Sequence, residues 1–288
     1  MDIRAHAKIN LVLDVVRKRE DGYHDLRMVM QMTGMYDLLR IEPRREPGIC
    51  LTANLPFLPT DTRNLAVRAA KLLMDEFSIT DGVSIQLRKF IPVAAGLAGG
   101  SSDAAAVLIA MNRVFRLGLT QKELMERGLR LGADVPFCIL GGTALAEGVG
   151  ERLTPLPDMP ACDILLAKPA QGVSTREVFQ ELQANALESH PDVDGMVEAV
   201  RAGSLPGILS RMANVLETVT MPKRPEIGGL KAFMEAAGAE KTLMSGSGPT
   251  VFGIFLVHKK ALACRDALRI QHPETHSFLT TPVRSVEI

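Results

Sequence analysis

One stretch of the chain restricts its possible folds more than any other, and it consists of Pro92, Val93, Ala94, Ala95, Gly96, Leu97, Ala98, Gly99, Gly100, Ser101, Ser102 and Asp103. Residues 83–87 before it alternate apolar and polar side chains, which predicts a half-buried strand. Residues 104–115 after it carry apolar side chains at helical spacing, which predicts a helix with one buried face. The start of a helix exposes unbonded backbone N–H groups that bind anions. The stretch therefore predicts a phosphate-binding loop.

The glycines of this loop suit a phosphate, although the loop matches neither of two common motifs. Gly96, Gly99 and Gly100 lack Cβ, so a phosphate chain can lie against the backbone. No lysine follows the glycines as in Gly-x4-Gly-Lys-Ser/Thr, and Ala98 interrupts Gly-x-Gly-x-x-Gly. From these residues alone, a plain loop whose small side chains let a helix pack closely on a sheet remains an alternative.

Composition disfavours several classes of function. The length of 288 residues suits two modest domains or one large one. Zero net charge, from 33 basic and 33 acidic residues, argues against broad binding to nucleic acid or to an anionic membrane. No apolar run reaches the roughly 18 residues of a membrane span. The first residues alternate like a strand and not like a leader, and the four cysteines are isolated. We expect a cytoplasmic protein without nucleic-acid or membrane partners.

Two segments near the N-terminus carry polar side chains that a strand would bring together. Residues 3–15 alternate, which predicts that Lys8 and Asn10 point together away from the apolar face. A turn at 20–22 is followed by Tyr23 and His24, directly before a predicted second strand. A solvated strand lysine and a structural Tyr-His pair are the simpler alternatives.

Two further motifs lie in the middle and in the second half of the chain. Asp134 in Gly-Ala-Asp-Val-Pro precedes a predicted helix, where it suits either a helix N-cap or a catalytic carboxylate. Ser-Gly-Ser-Gly-Pro at 245–249 precedes a predicted strand at 251–257. The proline-rich segment 155–160 is the best candidate for a domain boundary. A last strand is expected at 283–288.

Taken together, these motifs resemble those of the GHMP kinases, a superfamily that includes galactokinase, homoserine kinase and mevalonate kinase. The glycine-rich loop resembles the ATP-binding loop of the whole superfamily. The segments 7–11, 21–24, 132–136 and 246–248 resemble one family in it, the 4-diphosphocytidyl-2-C-methyl-D-erythritol kinases. The resemblance runs in the family's order from residue 5 to about residue 253.

This resemblance implies a two-domain α/β fold of the GHMP kinase type. An N-terminal, ribosomal-protein-S5-like ATP-binding domain would span residues 1–156. A C-terminal, ferredoxin-like domain would span residues 157–288, with the active site in the cleft between the two domains.

The resemblance also implies a role for each motif. Asp134 would be the catalytic base, with Lys8 as the charged group beside it. Asn10 would lie near the methylerythritol hydroxyls. The rings of Tyr23 and Phe179 would stack on the cytosine, and His24 would form hydrogen bonds with it. The remaining substrate positions implied are Thr175, Gly246, Ser247 and Gly248.

For the nucleotide, the resemblance implies that residues 92–102 hold the phosphates and that Asn64 and Lys89 lie near the adenine. ATP and Mg²⁺ are the expected cofactors, and no residue stands out as a magnesium ligand. Two features depart from other members of the family. Val93, Ala94 and Ala95 replace a more glycine-rich run, and Asp103 stands where other members carry asparagine.

The implied reaction transfers the γ-phosphoryl group of ATP to the 2-hydroxyl of a cytidine diphosphate compound, 4-diphosphocytidyl-2-C-methyl-D-erythritol, in the non-mevalonate pathway. A monomer or a weak homodimer is expected. One alternative is another small-molecule GHMP kinase, acting on homoserine or an isoprenoid alcohol, which has no reason to carry Tyr23, His24 and Phe179. The other alternative is a non-catalytic ATP-binding sensor on this fold, which has no need of Asp134 and Lys8.

Overall fold

A long hairpin of two strands organises the N-terminal half of the chain, in a computed structural model that describes residues 1–187 and 189–284. The elements of this half are, in chain order, β1 (Asp2–Lys18), β2 (His24–Arg44), β3 (Ile49–Ala53), α1 (Leu65–Glu76), β4 (Gly82–Arg88), α2 (Gly99–Val114), α3 (Gln121–Leu129), α4 (Val135–Leu140), β5 (Thr143–Gly148) and β6 (Arg152–Leu156). The predicted strand and helix on either side of the glycine-rich loop are confirmed as β4 and α2.

The second half of the chain alternates strands with short helices. Its elements are β7 (Asp163–Lys168), α5 (Thr175–Glu181), a 3₁₀ turn (Ala184–Ala186), α6 (Val193–Arg201), α7 (Leu205–Arg211), β8 (Ala213–Asn214), α8 (Glu217–Lys223), α9 (Pro225–Ala236), β9 (Lys241–Met244), β10 (Val251–Phe255), α10 (His258–Gln271) and β11 (His276–Thr280). The last strand predicted, 283–288, falls partly on residues 285–288, which lie outside the described residues. The terminal strand of the described chain is β11, which the sequence did not indicate.

The first sheet has the strand order β3-β4-β2-β1-β8, with β5 added to β2 and β6 added to β5. Strand β2 pairs with β1 along one edge and has two neighbours along the other edge, because its first half pairs with β5 and its second half pairs with β4. The apolar face of α2 packs on this sheet, with Val107 and Met111 in one buried cluster with Leu39 and Ile85. This packing fixes the direction in which α2, and therefore its N-terminus, points.

Strand β1 does not keep the strict alternation that its sequence suggested. The pairing with β2 shifts register at His6/Lys8, at Asn10/Val12 and at Val15/Arg17. A β-bulge reverses which side chains face which side of a sheet. Leu13 consequently joins a different buried cluster from Ile9 and Leu11, although all three were predicted to share a face. Lys8 and Asn10 are also buried, so the alternative of a solvated strand lysine is wrong.

The second sheet has the strand order β11-β7-β10-β9, and all of its neighbouring strands are antiparallel. With α10 between β10 and β11, this order is that of a ferredoxin-like βαββαβ unit, as predicted. The short strand β8 also comes from the second half of the chain, yet it pairs with β1 in the first sheet. Apart from β8, the strands of the first sheet end by residue 156 and those of the second sheet begin after it.

Two expectations from composition concern the cysteines and the possibility of a membrane-spanning segment. All four cysteines are free, and Cys138 and Cys264 are buried, whereas Cys50 is exposed and Cys162 is half-buried. Within residues 1–187 and 189–284, no helix combines the length and the apolar character needed to cross a membrane.

The two halves touch most closely where the glycine-rich loop meets the loop after β9. Gly96 has a φ of +74°, and a Cβ placed on it would lie 2.2 Å from the carbonyl oxygen of Ser245. The Ser245 hydroxyl donates to the carbonyl oxygen of Gly96 at 2.9 Å. The missing side chain of Gly96 therefore admits the backbone of Ser245.

We expect Gly96→Ala to destabilise the protein more than Gly118→Ala. Both glycines have positive φ, +74° and +71°, so both variants carry a similar backbone strain of roughly 1–2 kcal/mol. A Cβ at Gly118 would meet no atom within 4 Å, whereas at Gly96 it would displace Ser245. The added overpacking is worth about 1–3 kcal/mol. Thermal unfolding of the two variants measures the difference, and equal losses would show that the contact between the loops adds nothing.

Candidate active site

A cavity of about 600 Å³ opens between the glycine-rich loop and the second half of the chain. It gathers most of the residues that the sequence singled out, from segments far apart in the chain. Those that line it are Lys8, Asn10, Asn64, Lys89, residues 92–101, Asp134, Thr175, Phe179, Gly246 and Ser247. Four predicted site residues do not line it, namely Tyr23, His24, Ser102 and Gly248.

The first turn of α2 forms one wall of this cavity. Ala94 and Ala98 adopt left-handed backbone conformations, with φ of +51° and +57°, which turn the chain into the helix. The N–H of Ser102 donates to the carbonyl oxygen of Ala98, which leaves the preceding N–H groups of the turn outside the intrahelical ladder. No acidic residue lies in this first turn. The wall therefore has the donors and the dipole end that favour a phosphate.

Ser102 of the predicted phosphate loop and Gly248 of the loop after β9 contact other parts of the protein and do not line the cavity. Ser102 is buried, and its hydroxyl donates to the carbonyl oxygen of His6 at 2.7 Å, away from the cavity. Gly248 has a φ of +86°, and a Cβ on it would lie 2.5 Å from the sulfur of Met244. Both residues therefore hold their loops in place through contacts outside the cavity.

Gly99 also has a protein neighbour where its side chain would be. A Cβ on Gly99 would lie 3.1 Å from the ammonium nitrogen of Lys89 and 3.0 Å from Ile91. A Cβ on Gly100 would meet Leu65 at an ordinary 3.6 Å. A side chain on Gly99 would therefore crowd Ile91 and Lys89, although Gly99 also lines the cavity.

Lys89 belongs to a buried cluster of charges. Its ammonium donates to Asp37 and, at 2.8 Å, to Asp103. Asp37 also accepts from the backbone N–H groups of Phe90, at 2.5 Å, and of Ile91, at 2.8 Å. Oδ1 of Asp103 is buried and has no hydrogen-bond partner. The Lys89 ammonium, which the family resemblance places near the adenine, is thus bonded to two carboxylates of the protein.

Lys8 lies on the cavity wall across from this cluster. Its ammonium donates to Oδ1 of Asn10 at 2.8 Å, and the Asn10 amide donates to the sulfur of Met28 at 3.2 Å. A Cβ on Gly246 would lie 3.4 Å from the Lys8 nitrogen, so the missing side chain there leaves the ammonium uncovered. Lys8 has only 5% of its surface exposed. The cavity therefore contains a buried positive charge that is held by a neutral amide.

Asp134 occupies the N-cap position of α4, but its side chain makes no capping hydrogen bond. It is half-buried and faces the same cavity as Lys8. The capping alternative for this residue is therefore not supported by the geometry. A carboxylate that is not used by the helix is available to a hydroxyl group in the cavity.

Another part of the cavity wall is formed by α5 and by the loop after β9. The hydroxyl groups of Thr175 and Ser247 lie 2.7 Å apart and join these two segments. The ring of Phe179 lies 5.3 Å from the ring of His24, at an angle of 38°. Nε2 of His24 is buried without a hydrogen-bond partner, and burial lowers the pKa of this imidazole. Tyr23, by contrast, is 65% exposed, so the ring against Phe179 in this structure is that of His24.

Sequence reasoning missed part of the cavity wall and one member of the charge cluster. Leu58, Pro59 and Leu65 line the cavity beside Asn64, whose side chain caps α1 by accepting from the N–H of Ala66 at 3.0 Å. Asp37 lies on β2 in an ordinary alternating segment. Nothing near it in the sequence points to Lys89, its partner 52 residues away.

The sequence matches two family models, one described as the GHMP kinases N terminal domain, over residues 64–142, and one described as the GHMP kinases C terminal, over residues 178–274. The fold is shared with a homoserine kinase from Cytophaga hutchinsonii, at a TM-score of 0.75 and 18% identity over 99% of this chain and 95% of that one. The fold and the glycine-rich loop at the N-terminus of α2 define a GHMP kinase.

More similar proteins narrow this class to one family. A 4-diphosphocytidyl-2-C-methyl-D-erythritol kinase from Lachnospira eligens is 49% identical over 97% of this chain and 96% of its own length. One from Lachnoclostridium phytofermentans is 50% identical over 91% of this chain and 90% of its own. A crystal structure of a 4-(cytidine 5'-diphospho)-2C-methyl-D-erythritol kinase matches at a TM-score of 0.84 and 35% identity, covering 98% of this chain and 99% of that one. The chain belongs to the 4-diphosphocytidyl-2-C-methyl-D-erythritol kinase family.

We expect Asp103→Asn to remove a pH-dependent loss of stability. Burial is the main cause that raises the pKa of Asp103, from an ordinary 3.8 to about 8, and Lys89 opposes it. A carboxyl whose pKa is raised by folding stabilises the protein fully below about pH 4, and this contribution is lost as the pH rises towards 8. The variant should therefore gain on the wild type between pH 5 and pH 8, by at least about 1.4 kcal/mol, the worth of one pKa unit. Parallel stability curves over this range would contradict the assignment.

Proposed function

We propose that this protein transfers the γ-phosphoryl group of ATP to the 2-hydroxyl of 4-diphosphocytidyl-2-C-methyl-D-erythritol, giving the 2-phosphate and ADP, in the non-mevalonate pathway to isopentenyl diphosphate. Relatives at 49% and 50% identity bear the name of this kinase. One observation carries the proposal for the chemistry. A single cavity holds a helix N-terminus, a buried ammonium and an unengaged carboxylate, which are the groups that phosphoryl transfer requires.

In the proposed mechanism, the first turn of α2 binds the phosphates of ATP through backbone N–H groups. Lys8 stabilises the negative charge that develops on the transferred group, since its ammonium faces the cavity beside Gly246. Asp134 accepts the proton of the attacking hydroxyl, or orients that hydroxyl, because the helix does not use its carboxylate. Asn10 holds Lys8 in position and lies within reach of the other hydroxyls of the substrate.

The adenine of ATP has a candidate site beside the loop that precedes α1. Leu58, Pro59 and Leu65 provide apolar surface on this part of the cavity wall. Asn64 supports that wall by capping α1 and by donating to the carbonyl oxygen of Pro59 at 2.9 Å. We propose that Asn64 shapes this part of the site and that its side chain does not reach the base.

The cytosine has a candidate site at Phe179 and His24. Phe179 lines the cavity, and its ring contacts that of His24, which lies just outside the cavity lining and has a buried Nε2 without a hydrogen-bond partner. An unsatisfied buried polar group costs roughly 1–3 kcal/mol, which hydrogen bonding to a ligand would recover. Tyr23 is exposed at the end of the preceding turn, so it would stack on the base from the outer side.

Magnesium is expected to enter this site together with ATP. Within the described part of the chain, no group of three or more His, Cys, Asp or Glu side chains is arranged to hold a metal ion. Mg²⁺ is commonly held by substrate phosphates together with one or two protein oxygens. Ser101 and Asp134 on the cavity wall are the oxygen donors that fit this arrangement, and the ion would neutralise charge on the transferred phosphoryl group.

Other properties follow from the family and remain proposals for this chain. We place the enzyme in the cytoplasm, as a monomer or weak homodimer. The homoserine kinase at 18% identity and a mevalonate kinase at 17% share the fold only. A non-catalytic ATP-binding sensor has no need for Lys8 and Asp134 in the same cavity.

Asp134→Asn tests the proposed base. The substitution keeps the size and the N-cap position, so the melting temperature should stay within a few degrees, while kcat falls by about 10²–10⁴. Asp81→Asn, at an exposed position outside the cavity, is the matched control and should retain wild-type activity. Steady-state ADP formation gives the rates, and near-normal turnover of Asp134→Asn would reduce this residue to a structural position.

The cytidine site is tested by changing the base of the substrate. Uracil presents an acceptor where cytosine presents a donor, so a site built for cytosine leaves buried groups unpaired. We expect at least a tenfold loss in kcat/KM, corresponding to about 1.4 kcal/mol, for the uridine analogue. His24→Ala should reduce this preference, and the KM for ATP should change little. Equal rates for the cytidine compound, the uridine analogue and free methylerythritol 4-phosphate would overturn the specific function.

A further inference from the structure

We propose that Asp37, Lys89 and Asp103 form a positioning cluster that tethers the start of α2 and thereby sets the ATP affinity of the loop. The inference rests on the proposed ATP-binding role of the loop, but not on the identity of the second substrate. Each residue acts through the backbone it holds, so none of the three is assigned a contact with the reacting groups.

The three residues come from three different elements that meet under the loop. Asp37 lies on β2, Lys89 directly follows β4, and Asp103 lies in the second turn of α2. Lys89 donates to both carboxylates, with Asp103 at 2.8 Å. The cluster therefore ties the helix to the central strand of the sheet, at the point where the chain leaves β4 for the loop.

Asp37 fixes the beginning of the loop independently of Lys89. One of its oxygens accepts from the N–H groups of Phe90 and Ile91, at 2.5 Å and 2.8 Å. Its other oxygen accepts from Lys89. A single carboxylate thus holds the exit of β4, while the lysine connects that exit to α2.

Gly99 shows that the lysine lies directly beside the phosphate-binding turn. A side chain at Gly99, the first residue of α2, would come within 3.1 Å of the Lys89 ammonium. Loss of the tether would allow this turn to move relative to Lys8 and Asp134 on the other walls. Misplacement by about 1 Å at a reacting centre can lower rates by roughly 10²-fold.

Two buried acidic side chains share one ammonium in this cluster, and Oδ1 of Asp103 is left without a partner. A purely stabilising core would not need this arrangement, because apolar residues of similar volume often stabilise a protein as well as a buried ion pair. An apolar replacement can therefore restore the stability of the protein without restoring the position of α2. The experiment uses this distinction.

The test compares Lys89→Met, the double variant Lys89→Met/Asp103→Leu, and Asp103→Asn with the wild type. Lys89→Met leaves two carboxylates facing each other and should lower the melting temperature. The double variant removes one of them and should recover most of that loss, yet it still lacks the tether. Asp103→Asn keeps an oxygen acceptor for Lys89 and therefore keeps the tether. Calorimetry with a non-hydrolysable ATP analogue and Mg²⁺ measures binding directly.

We expect the dissociation constant of the ATP analogue to rise at least tenfold in Lys89→Met and in the double variant, and to stay within threefold of the wild type in Asp103→Asn. In steady-state assays of the active enzymes, the KM for ATP should rise more than the KM for the cytidine substrate. Wild-type affinity in the stable double variant would overturn the proposal, and so would a tenfold loss in Asp103→Asn. Failure of the wild type to phosphorylate the cytidine compound would refute the proposed function but leave this binding test intact.

Discussion

The close approach of two loop backbones, at Gly96 and Ser245, determines where the candidate active site lies. The two loops belong to different sheets, and each contains residues with left-handed backbone conformations. Because Gly96 has no side chain, the carbonyl oxygen of Ser245 fits against it and the Ser245 hydroxyl bonds its carbonyl group. The N-terminus of α2 is thereby brought to the same cavity as Gly246, Ser247 and the buried ammonium of Lys8.

The two buried lysines of this region have opposite electrostatic surroundings. Lys89 is paired within the protein with Asp37 and Asp103. Lys8 has the amide of Asn10 as its side-chain acceptor, and no carboxylate pairs with it in the described part of the chain. A buried charge without a counter-ion is costly, so the anion that Lys8 needs is best supplied by a ligand. One lysine is thus paired within the protein, and the other has no carboxylate partner among the described residues.

Local signals predicted much of the fold, whereas features that depend on distant pairing were missed. The alternation in β4 and the apolar stripe of α2 each depend on neighbouring residues, and the structure contains both. The bulges of β1 are set by pairing with β2, which the sequence of β1 alone does not encode. The charge cluster was missed for the same reason, because Asp37 and Lys89 become neighbours only when the sheet forms. The family resemblance implied that the site residues meet in one cavity, whereas their spacing in the sequence did not.

The glycines of the loop do more than expose backbone to the cavity. Gly96 makes room for another loop and Gly99 for a lysine, although both also line the cavity. Gly100 meets a side chain only at ordinary contact distance. The groups that suit the loop to an anion are the free N–H groups at the start of α2, which any residue with helical backbone angles presents. The glycines instead allow that helix end to be packed closely from two sides, and this packing holds the donors in fixed positions.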